Sequence, residues 1–180
     1  TPIIFDIIKR LKPSWRNEYE ITDALDMLLN EKYSISYKMI TDYWKDTGTP
    51  EDIINANKAI LENLIPEFKG KKESTVVING NVSAGNETWI GDQVKIKGPV
   101  IIGEKCKISG NTIIGPNTSI GNECVISGGI IRDSIIMNNC EIDKNVNLRN
   151  SIISSNSSIK QNKMKDEQIL LLGEGTKIFF

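Results

Sequence analysis

The sequence predicts two segments built on different rules: an α/β fragment over residues 1–70 and a parallel β-helix of hexapeptide repeats, with a C-terminal extension, over residues 71–180. Three observations lead there. Isoleucine recurs every six residues at Ile90, Ile96, Ile102, Ile108, Ile114, Ile120 and Ile126. Glycine follows four of them, as Gly91, Gly103, Gly115 and Gly121, where a tight corner needs backbone angles that other residues resist. The eleven aromatics are unevenly spread, with eight in residues 1–68, two at Phe179 and Phe180, and only Trp89 between. The join falls in the PEFKGKK stretch at residues 66–72, where the composition changes.

A period of six fits neither a helix, at 3.6, nor a strand with alternating faces, at 2. It fits a chain that turns a corner every six residues, so that three short strands close one triangular coil and the coils stack. The phase slips in the SGGIIRDS stretch, resumes at Ile136, Ile142 and Leu148, and slips again to Ile153 and Ile159. The fourth position after each repeat isoleucine should also point inward and take a small or β-branched residue. It reads Val94, Val100, Cys106, Thr112, Thr118, Cys124 and Ile130, then Cys140, Val146 and Ile152. All three cysteines fall on it, so they are expected to be small buried side chains rather than reactive thiols. Residues 76–162, closing at Asn162, give about five coils at roughly 18 residues each, stacked at the ~4.8 Å spacing of paired strands. Asn117, Asn122, Asn138, Asn139 and Asn145 are expected at the corners, in left-handed turn conformations.

In the first segment, Thr1-Pro2 followed by Ile3, Ile4, Phe5, Ile7, Ile8 and Leu11 reads as a helix with proline at its first position, ending before Pro13. Asp23 is expected to cap a second helix running through Leu28 and Leu29. Residues 34–40 alternate Ile35, Tyr37 and Met39 with polar partners, the pattern of a half-buried strand. A polar turn, Tyr43-Trp44-Lys45-Asp46-Thr47-Gly48, then leads into a third helix with Thr49 as N-cap, Pro50 at the first position and Asp52 at the third. Its apolar residues are Ile53, Ile54, Ile60, Leu61 and Leu64.

Composition excludes several function classes. Lys+Arg 22 against Asp+Glu 23 gives a formal charge of −1, without the cationic surplus that binds a phosphate backbone. There is no histidine, which removes Ser-His triads and the commonest zinc ligand. Three widely spaced cysteines with no CxxC pair indicate neither a disulfide framework nor a zinc site. No apolar run approaches the ~20 residues a membrane helix needs, and the first residues lack the pattern of a secretory signal, so the chain is expected to be cytoplasmic.

The residues that could carry chemistry are few. Asp46, in a turn between a strand and a capped helix, suits Mg²⁺ bound to a substrate phosphate, a site that needs only one or two carboxylates. On the local sequence, Asp-Thr-Gly is more often a turn in which the aspartate caps its own backbone. Trp44, two residues earlier, reads either as core or as a platform for a ligand.

The run from Leu11 through Arg16-Asn17-Glu18-Tyr19-Glu20-Ile21-Thr22-Asp23 to Ala24, and then Tyr43-Trp44-Lys45-Asp46-Thr47-Gly48-Thr49-Pro50-Glu51-Asp52, resembles the C-terminal part of the catalytic domain of glucose-1-phosphate thymidylyltransferases. The tail, ending in Leu172-Gly173-Glu174-Gly175-Thr176-Lys177-Ile178, resembles the hexapeptide tail of the long form of that family. The resemblance implies the C-terminal part of a Rossmann-like nucleotidyltransferase domain followed by a left-handed parallel β-helix. It implies Asp46 as one of two aspartates that hold Mg²⁺, and Trp44 as a residue lining the sugar-phosphate pocket. Asn17 stands where the family has glycine, a change that a turn position absorbs. The family's Gly-rich phosphate loop, its other metal aspartate and its Glu-Lys-Pro segment do not occur here, so the chain is expected to be the C-terminal half of a longer enzyme and inactive alone.

For the complete protein the resemblance implies transfer from dTTP to glucose 1-phosphate, giving dTDP-glucose, a precursor of deoxysugars such as rhamnose, and pyrophosphate. That chemistry asks for alignment and charge neutralisation more than for a histidine base. Two other readings concern the tail. Hexapeptide prisms also occur in acetyl-CoA-dependent acyltransferases, which commonly use a histidine base that this sequence lacks. The prism can instead be purely structural, assembling a homo-oligomer, often a trimer in this repeat class.

Overall fold

In the computed structural model residues 2–161 and 166–179 are described; Thr1, Asn162 and Phe180, named above, lie outside them. The chain divides into two compact units, Thr1–Trp44 and Lys45–Phe180.

In the first unit, α1 (Ile3–Ile8) and α2 (Ile21–Asn30) pack through Ile7, Ala24 and Leu28, with Ile4, Leu11, Met27 and Ile35 around them. Asp23 does not cap α2. The cap position is Glu20, in extended conformation, and Asp23 lies in the first turn, where its charge faces the helix dipole's positive end. Glu20 is occupied instead by Ser14 and Arg16, at 3.1 and 2.7 Å. Asn17 takes φ +60°, the left-handed conformation that a glycine would otherwise supply. The strand expected at residues 34–40 does not form. An extended segment becomes a strand only through a partner's backbone hydrogen bonds, and no strand pairs with it among the described residues. Tyr37 and Met39 are left 88% and 75% exposed.

The second unit begins with α3 (Pro50–Glu62). Its start is as the sequence predicts: Thr49 is extended, its hydroxyl accepts from the Asp52 N–H at 3.2 Å, and Pro50 occupies the first position. Ile54 and Leu61 are buried, whereas Ile60 is 72% exposed.

Beyond α3 the chain winds into a parallel β-solenoid with three faces. One face stacks Val82–Ala84, Val100–Ile102, Thr118–Ile120, Ile135–Ile136, Ile152–Ile153 and Leu171–Leu172. The next stacks Lys71–Lys72, Trp89–Ile90, Lys107–Ile108, Val125–Ile126, Glu141–Ile142, Ser158–Lys160 and Lys177–Phe179. The third stacks Val77–Asn79, Lys95–Lys97, Ile113–Ile114, Ile130–Arg132 and Asn147–Arg149. The repeat isoleucines point inward in turn to each face, and Ile90, Ile96, Ile102, Ile108, Ile114 and Ile120 are at most 3% exposed. Because like stacks on like, Ile90, Ile108, Ile126, Ile142 and Ile159 form one continuous apolar column.

The solenoid extends further than the repeat count suggests. Lys71–Lys72 adds a rung at the start, and Leu171–Leu172 and Lys177–Phe179 pair in register with Ile152–Ile153 and Ser158–Lys160, so the C-terminal extension continues the winding. The two phase slips comprise shortened corners where the inward series runs Ile126, Ile131, Ile136 and then Leu148, Ile153, each step one residue short of the repeat. Ile131 and Ser151 are the inward residues, whereas Ile130 and Ile152, expected inside, are only partly buried. At the first slip Gly129 (φ +94°) passes so close to the next coil that a Cβ there would strike the Val146 carbonyl oxygen. Asn117, Asn139 and Asn145 take left-handed angles as expected, but Asn122 and Asn138 do not. Their side-chain oxygens accept the backbone N–H of Glu104 and Asn122, each at 2.8 Å, and the left-handed residue is the next one, Glu123 or Asn139.

Among the described residues no helix is long and apolar enough to cross a membrane.

Candidate functional site

The polar turn before α3 stays without regular secondary structure, and the helix behind it fixes its end. Lys45 reaches forward to Asp52, with Nζ 2.7 Å from Oδ1, while the Thr49 hydroxyl donates to Asp52 Oδ2 at 2.7 Å. The Lys45 ammonium, followed by the Thr49 hydroxyl, holds the Asp52 carboxyl below its ordinary range, so it stays ionised as the clasp of the turn. Asp52 is thereby spent on structure. Asp46, inside the clasped segment, is exposed, and even a Cβ on Gly48 would be in no more than ordinary contact with its carboxylate. Trp44 closes the first unit and is 68% exposed.

Among the described residues no group of three or more acidic or sulfur ligands could hold a metal. At this turn, with Asp52 held by Lys45 and Thr49, Asp46 stands as a single carboxylate. One carboxylate fits Mg²⁺ that takes its remaining oxygens from phosphates, water and a further carboxylate, and does not fit an all-protein metal cage.

The cysteines lie away from this turn and form part of a column. Thr88, Cys106, Cys124, Cys140 and Ser157 precede successive strands of one face. Each donates to a carbonyl of the following coil: Gly103, Gly121, Met137, Ser154 and Gly173, at 2.7, 3.0, 3.0, 3.2 and 3.3 Å. They are free and buried. The Cys106 and Cys140 thiols on either side, together with burial, push the Cys124 thiol up, which keeps it protonated as a donor. Sequence reasoning placed these residues inside; it missed that they share one hydrogen bond with hydroxyl residues, although Thr88 and Ser157 at equivalent corners carried that signal.

Sequence reasoning also missed a polar network on the inward face of α3. Ser119 donates to Asn57 Oδ1 at 2.6 Å, Asn57 Nδ2 donates to the Asn117 carbonyl at 3.3 Å, and Lys58 Nζ lies 3.3 Å from Asp133 Oδ1. Asp133, with its side chain 14% exposed, also accepts from Asn117 Nδ2 at 2.9 Å and faces Arg149 Nε at 3.5 Å. The contacts from α3 join residues 60 or more positions apart, and no local pattern announces them.

A groove of about 670 Å³ runs between the first turns of α3 and the last coils, past Thr49, Glu51, Asn55, Lys58, Asn150 and Leu171.

Two family models match different parts of the chain. Residues 1–63 match the nucleotidyl transferase family model, and residues 96–178 match the model of the GMPPB C-terminal domain. A glucose-1-phosphate thymidylyltransferase of Streptomyces antibioticus is 33% identical over 179 residues, covering 99% of this chain and 50% of that protein. The low-salt glycan biosynthesis nucleotidyltransferase Agl11 of Haloferax volcanii is 31% identical over 180 residues, again 99% of this chain and 50% of that protein. The bifunctional protein GlmU of Methanococcus vannielii is 34% identical over 184 residues, 97% of this chain and 44% of that protein. The chain spans about half the length of these curated relatives.

Proposed function

We propose that this chain, related along its length to sugar-phosphate nucleotidyltransferases, is the C-terminal part of a glucose-1-phosphate thymidylyltransferase that converts dTTP and glucose 1-phosphate to dTDP-glucose and pyrophosphate. The observation that carries the proposal is the continuity of the relationship. It runs through both parts in register with a thymidylyltransferase, and the segment holding Asp46 lies within the residues that match the nucleotidyl transferase model. Residues 1–70 are then the end of the catalytic domain and residues 71–180 its β-helical tail. The exposed Trp15, Tyr37, Met39 and Tyr43 support the same reading, because so much uncovered apolar surface on a small unit calls for a cover, here the preceding half of the enzyme.

Within that enzyme the roles divide by chemistry. Asp46, with a second carboxylate from the preceding half, would hold Mg²⁺, which would supply charge neutralisation at the phosphate oxygens. Trp44 presents an apolar face to the sugar phosphate. Lys45, Thr49 and Asp52 hold the turn so that the Asp46 carboxylate is in place before substrate arrives. No proton need pass through a histidine. The tail assembles subunits into a homo-oligomer, with a trimer as the expected form.

The test is an assay of the complete protein, about twice this length, for pyrophosphate release from dTTP and glucose 1-phosphate with Mg²⁺. Formation of dTDP-glucose supports the proposal. Activity confined to another nucleotide or sugar phosphate overturns the substrate assignment, and thiol release from acetyl-CoA with glucosamine 1-phosphate would move catalysis into the solenoid.

A further inference from the structure

We infer that the solenoid positions the Asp46 turn: it pins α3 through Asn57 and Lys58, and α3 carries the clasp that shapes the turn. The inference rests on the reading above only for its catalytic consequence; the coupling itself stands on contacts within the second unit.

Ile54, Asn57, Lys58 and Leu61 are spaced i, i+3, i+4 and i+7, so they share one face of the helix. The outer two are buried apolar residues, and the inner two make the polar contacts to Asn117, Ser119 and Asp133. Hydrophobic burial alone would let the helix slide along the solenoid. A directional set of hydrogen bonds fixes its register. Asp133 and Asn117 hold their positions with left-handed backbone angles, φ +46° and +54°, so both partners are set by the corners of the winding itself. Lys58 lies two turns beyond Pro50, and an α-helix of 13 residues transmits a fixed direction over that length. At its start, Asp52 ties the helix to Lys45 and Thr49 on either side of Asp46. The path from Asp133 to the turn is continuous: Asp133, Lys58, the helix, Asp52, Lys45. Asp133 is thus a positioning residue, acting on the turn through Lys58 and α3.

The experiment uses the complete protein. Backbone amide resonances of Asp46, Thr47 and Gly48, and hydrogen exchange across α3, are compared in the wild type, Lys58→Ala, Lys58→Arg, Asp133→Asn and the milder Ser119→Ala. Lys58→Ala and Asp133→Asn are expected to speed exchange in α3 about tenfold. They also shift or broaden the three turn resonances, while amides of residues 77–79 stay unchanged. Lys58→Arg keeps the ion pair and the wild-type turn spectrum. Should the two disruptive variants prove too unstable to study, Ser119→Ala removes one hydroxyl donor and is expected to move the same three resonances by less. Faster exchange in α3 with an unmoved turn spectrum overturns the inference, and so does no change in either. In the complete enzyme, Asp133→Asn is expected to raise the Mg²⁺ concentration for half-maximal rate several-fold. If Asp46→Asn left metal dependence untouched while the exchange data held, the functional reading would fail and the coupling would stand.

Discussion

Cys124 shows how much one position can say and withhold. Its place in the repeat identifies an inward corner, and the structure confirms it as fully buried. What the position cannot convey is the bond to the Met137 carbonyl, because that partner is set by how the next coil stacks. The expected consequence is that none of the three thiols reacts with a bulky disulfide reagent in the native protein, and all three react once the chain is unfolded in denaturant. A thiol titrating at native conditions would contradict the burial. The same contrast holds for asparagine: composition marked the corners, but whether a given Asn bends the backbone or caps a neighbouring coil depends on which corner position it fills. Asp133 adds a pH dependence. Burial raises its pKa, but the Asn117 amide, Lys58 and Arg149 outweigh that and hold it below the usual carboxylate range. Its ionised form is favoured by folding, so its contribution is complete above about pH 4 and lost as pH falls through its lower folded-state value. Asp133→Asn should therefore cost about 1–2 kcal/mol at pH 6, with the difference from wild type shrinking toward pH 3 in urea titrations.

Among elements, the start of the third helix is legible to the residue because capping is local, Thr49, Pro50 and Asp52 needing no partner elsewhere in the fold, whereas its end at Glu62 falls short of the expected Leu64. The strand at residues 34–40 was misread for the opposite reason, since alternation specifies a face and not the neighbour that must pair with it. The solenoid strands, two or three residues each, would be unreadable singly and became legible through repetition. The phase slips mark the limit, where a residue lost from a corner changes which isoleucine turns inward. An inward residue carries the stability of its coil. Ile114→Ala should cost about 3 kcal/mol, and Ile101→Ala, at an outward position that is 39% exposed, about 0.5 kcal/mol or less, both read from urea midpoints.

For the whole molecule, composition and repeat period separate two kinds of construction, with the join expected at residues 66–72. The contacts of α3 revise that picture, because the last helix before the solenoid belongs to the same compact unit as the coils it rests on. A β-helix is a stiff support, each rung paired above and below, and a turn braced against it loses less order than one at the end of a flexible linker. The half-length match to the relatives gives this support its proposed purpose, which is to hold one carboxylate in place for a site completed by another stretch of protein.

That purpose is tested most directly by Asp46→Asn in the complete protein, measured as the rate of pyrophosphate release from dTTP and glucose 1-phosphate across a Mg²⁺ titration. The account predicts a loss of at least a hundredfold in turnover with the solenoid's unfolding midpoint unchanged. Wild-type turnover with an unaltered Mg²⁺ requirement would remove Asp46 from the metal site and the central claim with it.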